Sequence, residues 1–188
     1  MNLTILFFVL VGIGAVVVLW FVMTYNRFIR LRTLLKEAWS GIDVQLKRRY
    51  DLIPNLVSTV KGYSVHEKSI FEDIAKYRAA SMGATDMGQK SEAEVGLTGA
   101  LKTLFAVAEN YPDLKANANF LELQGKLAVL EEDIQLARRY YNGTVRNYNV
   151  LCTIFPSNII ASLASFKEAE FFEVSNSEER DTPNVKFD

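Results

Sequence analysis

The 188 residues contain one cysteine and one histidine. With Cys152 alone, no disulfide can close within the chain and no cysteine-built zinc site can form. With His66 as the lone imidazole, the common metal-ligand sets and the histidine-dependent nucleophilic triads lack parts. No Walker loop, GxGxxG, HExxH or GxSxG stretch occurs, so phosphate-cradling loops and the familiar hydrolase signatures are missing as well. Runs of alternating apolar and polar residues joined by tight hairpin signals are absent, and nothing argues for a sheet. Nor does one sign of charge dominate: 21 basic residues face 22 acidic ones, for a net charge of −1. Without a global basic field, nucleic acid is not an expected partner.

What the chain does have is a long apolar run. Leu3 to Met23 reads LTILFFVLVGIGAVVVLWFVM, and no charged side chain precedes Arg27. At the helical rise this run covers about 31 Å, close to the hydrocarbon thickness of a bilayer. A cleaved signal peptide would need a basic start, a shorter apolar core and a small-residue cleavage site. The run instead ends in Trp20, Phe21 and Tyr25, residues suited to an interfacial belt. A soluble core helix rarely stays apolar on every face for this length. The expectation is a retained transmembrane anchor over residues 1–26. Gly12 and Gly14 lie on different faces, so close glycine-mediated dimerisation of the span is not expected.

Charge placement gives an orientation. Arg27, Arg30, Arg32 and Lys36 follow the span with no acid before Glu37. The positive-inside rule then leaves the N-terminus outside and the following domain in the cytoplasm, with the bilayer itself as the first partner. The other end of the chain is acidic. Glu168, Glu170, Glu173, Glu178, Glu179, Asp181 and Asp188 outnumber Arg180 and Lys186. This tail, residues 166–188, reads as a solvated terminus or as a contact for a basic partner or a neighbouring subunit.

Between anchor and tail, residues 27–165 read as a helical bundle. Leu31, Leu35, Trp39, Ile42, Leu46, Tyr50, Ile53, Val57 and Val60 recur at steps of three and four, the helical period. No glycine or proline separates the span from this stripe, so one continuous helix is expected. Pro54 should interrupt and kink it, and Gly62 should close it. Ser64-Val65-His66-Glu67 resembles a capping box opening a second helix to about Ser81, with Ile70, Ile74 and Tyr77 inward and His66 exposed in its first turn. Ser81 to Lys90 reads as a loop. Ser91-Glu92-Ala93-Glu94 reads as a second capping box, followed by Leu97, Leu101, Leu104 and Ala108 facing inward until Pro112. A long fourth helix carries Phe120, Leu123, Leu127, Leu130, Ile134, Ala137, Tyr141, Val145 and Tyr148. Pro156 ends it, and Ser157 to Ala164 form a short fifth. The fold class is therefore all-α: a transmembrane helix continuing into an antiparallel cytoplasmic helical bundle of about four long helices and a short C-terminal one.

Three charged groups stand out. Asp43, Lys47, Arg48, Arg49 and Asp51 crowd one stretch of the first helix; Asp43 and Lys47 have the spacing of a surface pair. The arginines could meet a partner or pair with Glu131, Glu132 or Asp133 inside the bundle, and the internal ladder is the favoured reading. Glu109, Arg138 and Arg139 lie in two further polar clusters. Carboxylate–guanidinium pairs of this kind join helices more often than they do chemistry. Together with Arg27, Arg30 and Arg32, these residues are the candidate assembly or partner contacts; no catalytic, cofactor-binding or metal residue is expected.

Several blocks resemble the bacterial LemA family. They are Ala38-Trp39-Ser40-Gly41-Ile42-Asp43-Val44-Gln45-Leu46-Lys47-Arg48-Arg49, Asp51-Leu52-Ile53-Pro54-Asn55-Leu56-Val57 and Val60-Lys61-Gly62-Tyr63, then Ala108-Glu109-Asn110-Tyr111-Pro112-Asp113-Leu114-Lys115-Ala116-Asn117, Ala137-Arg138-Arg139-Tyr140-Tyr141-Asn142 and Phe155-Pro156-Ser157. They keep the family's order over nearly the whole chain. The resemblance implies an N-terminal span, a cytoplasmic helical bundle and no cofactor or catalytic residue to carry over. One branch of the family serves magnetosome membrane biogenesis.

Three functions follow as expectations. The first is a non-enzymatic scaffold at the inner face of the bacterial cytoplasmic membrane, assembling as a homo-oligomer. The second is a monomeric adaptor for a membrane-protein partner such as a protease, stress sensor or envelope machine. The third is an enzyme or small-molecule binder built around Glu109 and Arg139.

Overall fold

The computed structural model describes residues 3–63 and 67–172. These residues form six helices: α1 (Leu3–Lys61), α2 (Lys68–Gly83), α3 (Met87–Ala108), α4 (Pro112–Lys115), α5 (Ala118–Thr153) and α6 (Ser157–Leu163). No strand occurs among the described residues. The all-α expectation holds, and the apolar run and the first amphipathic stripe belong to one helix of 59 residues. His66 and the start of the capping box expected to open the second helix, Ser64 and Val65, lie outside the described residues, as do the tail acids from Glu173 onward.

The chain divides into two compact units: Met1–Ile42 with Ala137–Phe171, and Asp43–Leu136 together with Phe172. In the first, α1 and the C-terminal half of α5 pair through aromatic rings. Trp39 meets Tyr141 at 5.6 Å and Phe28 meets Tyr148 at 6.0 Å, edge to face. Numbers rise along α1 as they fall along α5, so the two run antiparallel. Residues 166–171, the start of the tail read as a solvated terminus or a partner contact, are irregular but tied down. Asn149 accepts from the Ala169 amide at 2.8 Å and donates to its carbonyl at 2.9 Å, and the Tyr141 hydroxyl donates to the Glu170 carbonyl at 3.0 Å.

In the second unit four helix segments contribute buried apolar side chains to a core: Leu46, Ile53, Leu56 and Val60 of α1, Ile74 of α2, Leu97 and Leu104 of α3, and Ile134 of α5. The expected inward positions Leu97, Leu101, Leu104 and Ala108 are all buried. Two helix starts differ from expectation. α2 begins at Lys68, with Glu67 at its N-cap and no side-chain cap. α3 begins at Met87, because Asp86 takes the N-cap and its carboxylate accepts the Gln89 amide at 2.8 Å. The second capping box is therefore interior helix, and Glu94 lies within α3. An aspartate is as good an N-cap as a serine, and Asp86 starts the helix five residues earlier.

Pro54 also departs from expectation: α1 runs through it without a break. Proline removes the amide that would bond the carbonyl four residues back, here Tyr50. That carbonyl accepts instead from Arg78 Nε of α2 at 2.9 Å. Pro54 itself is exposed, so its ring displaces no core side chain. The donor that the proline removes is supplied by the neighbouring helix.

This substitution of donors is testable. Arg78→Met should cost about 1–2 kcal/mol, since it strands a carbonyl inside the bundle. In a Pro54→Ala background the helix regains its own amide, and the same Arg78→Met change should cost measurably less. Denaturant unfolding of the four chains of this cycle in detergent gives the coupling directly; additive losses would show that Arg78 does not compensate for the proline.

Candidate functional site

The second unit holds a cluster of ionisable groups in its interior. Arg49 is only 1% exposed, although it sits among the charged residues Lys47, Arg48 and Asp51. It is three residues after Leu46 and four before Ile53, which puts it in phase with the buried stripe. Its guanidinium pairs with Glu94 of α3 and, at 2.6 Å, with Glu131 of α5, and it donates to the Thr98 hydroxyl at 3.4 Å. Glu94 is buried completely, while Glu131 is one-third exposed. The neighbouring Tyr50 hydroxyl donates to the second Glu94 oxygen. One cation thus joins three helices. Taking the fully buried pair out of water is costly, and the several hydrogen bonds to the carboxylate and guanidinium offset that cost.

The cluster perturbs its phenol. Burial, then the negative charge of Glu94 and the hydrogen bond to it, hold Tyr50 well above its ordinary value of 10.0. In the first unit, burial likewise raises the Cys152 thiol. The lone cysteine is therefore a poor thiolate nucleophile at neutral pH.

Beside the cluster lies a cavity of about 280 Å³, lined by Leu101, Phe105, Leu127 and Ala128 and reaching Thr98, Arg49 and Glu131. Glu109 lines a second cavity of about 370 Å³ with Lys102, Lys115, Phe105 and Phe120. Both are largely apolar. Neither contains a serine, cysteine or histidine. Among the described residues no group of three or more His, Cys, Asp or Glu side chains could hold a metal ion.

The sequence-nominated residues scatter. Arg27, Arg30 and Arg32 are exposed on α1 in the first unit, where Arg139 is exposed and Arg138 half-buried on α5. In the second unit Lys47, Arg48, Asp51 and Glu109 are exposed. Arg48 reaches Gln45 at 3.4 Å. Asp43 pairs with Lys90 of α3 across the bundle, not with Lys47 one turn along. The internal ladder is present, through Arg49 and Glu131. Sequence reasoning missed Glu94 and the hydroxyl of Tyr50. A signal for Glu94 existed: it precedes Leu97 by three, in step with Leu101, Leu104 and Ala108.

The LemA family model matches residues 38–187, a span that includes Arg49, Tyr50, Glu94 and Glu131. The magnetosome protein MamQ 2 of Paramagnetospirillum magneticum is 26% identical over 177 residues, covering 80% of this chain and 65% of that protein. MamQ of Magnetospirillum gryphiswaldense is 25% identical over 176 residues, with the same two shares. Protein LemA of Metamycoplasma hominis is 29% identical over 160 residues, covering 81% of this chain and 68% of that protein. The chain spans about two-thirds of the length of these curated relatives.

The cluster's asymmetry predicts unequal mutants. Arg49→Met removes the cation from a fully buried carboxylate and should cost about 3–5 kcal/mol. Glu94→Gln leaves Arg49 its bond to Glu131 and should cost about 1–3 kcal/mol. Equal losses in denaturant unfolding would argue that Arg49 acts through packing alone.

A second expectation concerns alkaline pH. A phenol whose folded value is raised stays neutral in the fold after it has ionised in the unfolded chain. Its contribution is complete below about pH 10 and is lost as pH rises beyond that. Wild-type stability should therefore fall above about pH 10 more steeply than that of Tyr50→Phe. Parallel pH–stability curves for the two chains would exclude this role.

Proposed function

The chain belongs to the LemA family, and from that premise we propose that it is a non-enzymatic scaffold, held at a membrane by its N-terminal helix and assembling with copies of itself. Among the described residues α1 contains the one segment long and apolar enough to cross a membrane, and none of that segment is buried by the protein. The same helix continues, without interruption, to Lys61 and carries Arg49. The scaffold stands at the cytoplasmic face of a bacterial inner membrane in this reading, with the cations from Arg27 to Lys36 setting the orientation.

The observation that carries the proposal is how the charged side chains divide. Those placed to do chemistry, Arg49, Glu94 and Glu131, are engaged with one another across three helices. Those left exposed include Arg48, Asp51 and Arg139 on the surfaces of long helices and Glu109 at the C-terminal cap of α3. Such a surface suits recognition between proteins, where opposed charges set partner and register. Relatives named as magnetosome proteins stand at 25–26% identity and one named simply LemA at 29%. The family is thus not confined to one such name, and no magnetosome role is assigned to this chain.

Light scattering on a sizing column, with the full chain in detergent, tests the proposal. The scaffold predicts a discrete multimer, and Arg48→Glu combined with Arg139→Glu should shift most of it to smaller species. A wild-type monomer would remove the scaffold and leave the monomeric adaptor, whose membrane-protein partner would then be sought by crosslinking in cells.

A further inference from the structure

The C-terminal end of α5 and the helix after it carry apolar side chains that the fold does not use. Phe155 is 79% exposed and Leu163 72%, and Ile154 and Ile159 are each about half exposed. Ile159 and Leu163 are four apart on one face of α6, while Ile160 and Ala161 turn inward and are buried. No charged residue lies between Arg146 and Lys167. On a protein surface bathed only in water, this combination is unusual.

The rings of the first unit fix where this patch lies along α1. Phe166, just after α6, stacks on Phe28 at 4.6 Å with its plane tilted by 8°, and meets Tyr25 at 5.8 Å. Phe28 in turn meets Tyr148 at 6.0 Å. α5 runs on five residues beyond Tyr148 to Thr153, about 7.5 Å farther. The same five residues back along antiparallel α1 lead from Phe28 to Met23, the last residue of the apolar run. Thr24 is buried, so protein covers α1 at this level. Ile154, Phe155 and α6 therefore sit beside the point where the apolar run ends. The aromatic residues suited to a bilayer interface, Trp20, Phe21 and Tyr25, lie within three residues of Met23 along α1.

We propose that the Ile154-Phe155 turn and the Ile159–Leu163 face of α6 enter the boundary between headgroups and acyl chains beside α1, as a second, shallow membrane contact of the chain. The proposal rests on the reading of Leu3–Met23 as a membrane span, because the span's end sets the height of the patch. An amphipathic segment lying in this boundary buries its apolar face only about 5–10 Å deep. Arg146 and Lys167, exposed at either end of the uncharged stretch, can keep their charged groups in the headgroup layer. The contact would hold the first unit against the lipid surface through chain segments far apart in sequence.

The test uses the full chain with Cys152→Ser, carrying one new cysteine at a time: Phe155→Cys, Leu163→Cys, Val9→Cys in the span and Lys102→Cys on the exposed face of α3. Each is labelled with a small fluorophore and reconstituted in vesicles of phosphatidylethanolamine and phosphatidylglycerol containing lipids spin-labelled near the headgroup or deep in the chain. Labels at Phe155 and Leu163 should be quenched by the shallow spin label at least about threefold more than the label at Lys102. Val9 should respond to the deep one. If Val9 is quenched while Phe155 and Leu163 behave like Lys102, the span stands and the second contact falls. If Val9 also escapes quenching, the span reading falls and takes the second contact with it. Leu163→Cys chains that crosslink to each other and escape quenching would assign the patch to a second copy and overturn the proposal.

Discussion

A single guanidinium organises the second unit. Arg49 lies inside the bundle and meets carboxylates from two other helices, Glu94 and Glu131. A buried ion pair is seldom a net gain over well-packed apolar residues, because both charges must leave water. Its usefulness lies in what it forbids. Apolar stripes on α1, α3 and α5 could slide by a turn and still bury their side chains. Moving Arg49 by one turn would leave Glu94 without its cation in a site that excludes water. The cluster therefore fixes which residues of the three helices stand level with one another. Asp43 with Lys90, and Tyr50 with Glu94, follow the same level.

Where the sequence could be read, it was because one force acted alone. The apolar run and the three- and four-residue stripes depend only on the partition of side chains between water and core, so their helices emerged directly, although α2 buries Phe71 with Ile74 and leaves Ile70 and Tyr77 half-buried. Helix starts were harder. Asp86 and Ser91 both offer an oxygen to a free amide, and a local pattern cannot rank them; the Asp86 carboxylate takes the Gln89 amide, and Ser91 is buried within the helix. The capping-box reading then misplaced Glu94, assigning an acid to a helix start when its phase with Leu97 put it in the interior. A charged residue in step with an apolar stripe is a stronger sign of burial than charged residues next to one another. Arg49 and Glu94 both meet that criterion, and Arg48 and Asp51 do not.

Pro54 shows why a local rule can fail without being wrong. The proline does remove an amide, and the Tyr50 carbonyl does lose its helical partner. The consequence expected from this, an interrupted helix, depended on nothing else reaching that carbonyl. Arg78, remote in sequence, reaches it. Tyr50 consequently has two attachments: its carbonyl to α2 and its hydroxyl to α3. The residue that reads as one more apolar position in a stripe is a junction between three helices, and no pattern in α1 alone could reveal this.

The first unit is held differently, by rings. Trp39, Tyr141, Phe28, Tyr148 and Phe166 form successive contacts along α1, and the hydrogen bonds of Asn149 fasten the chain beyond α6 onto α5. Aromatic pairs draw most of their strength from buried area and little from charge, so they tolerate the low-dielectric edge of a bilayer better than an ion cluster does. The two kinds of interior thus suit their positions on α1. Rings are used next to the apolar run, and the buried guanidinium appears only after Ile42. An ion cluster placed near Phe28 would lose the partial solvation that Glu131 retains at one-third exposure. The order of interactions along α1 fits the membrane span proposed for its apolar run.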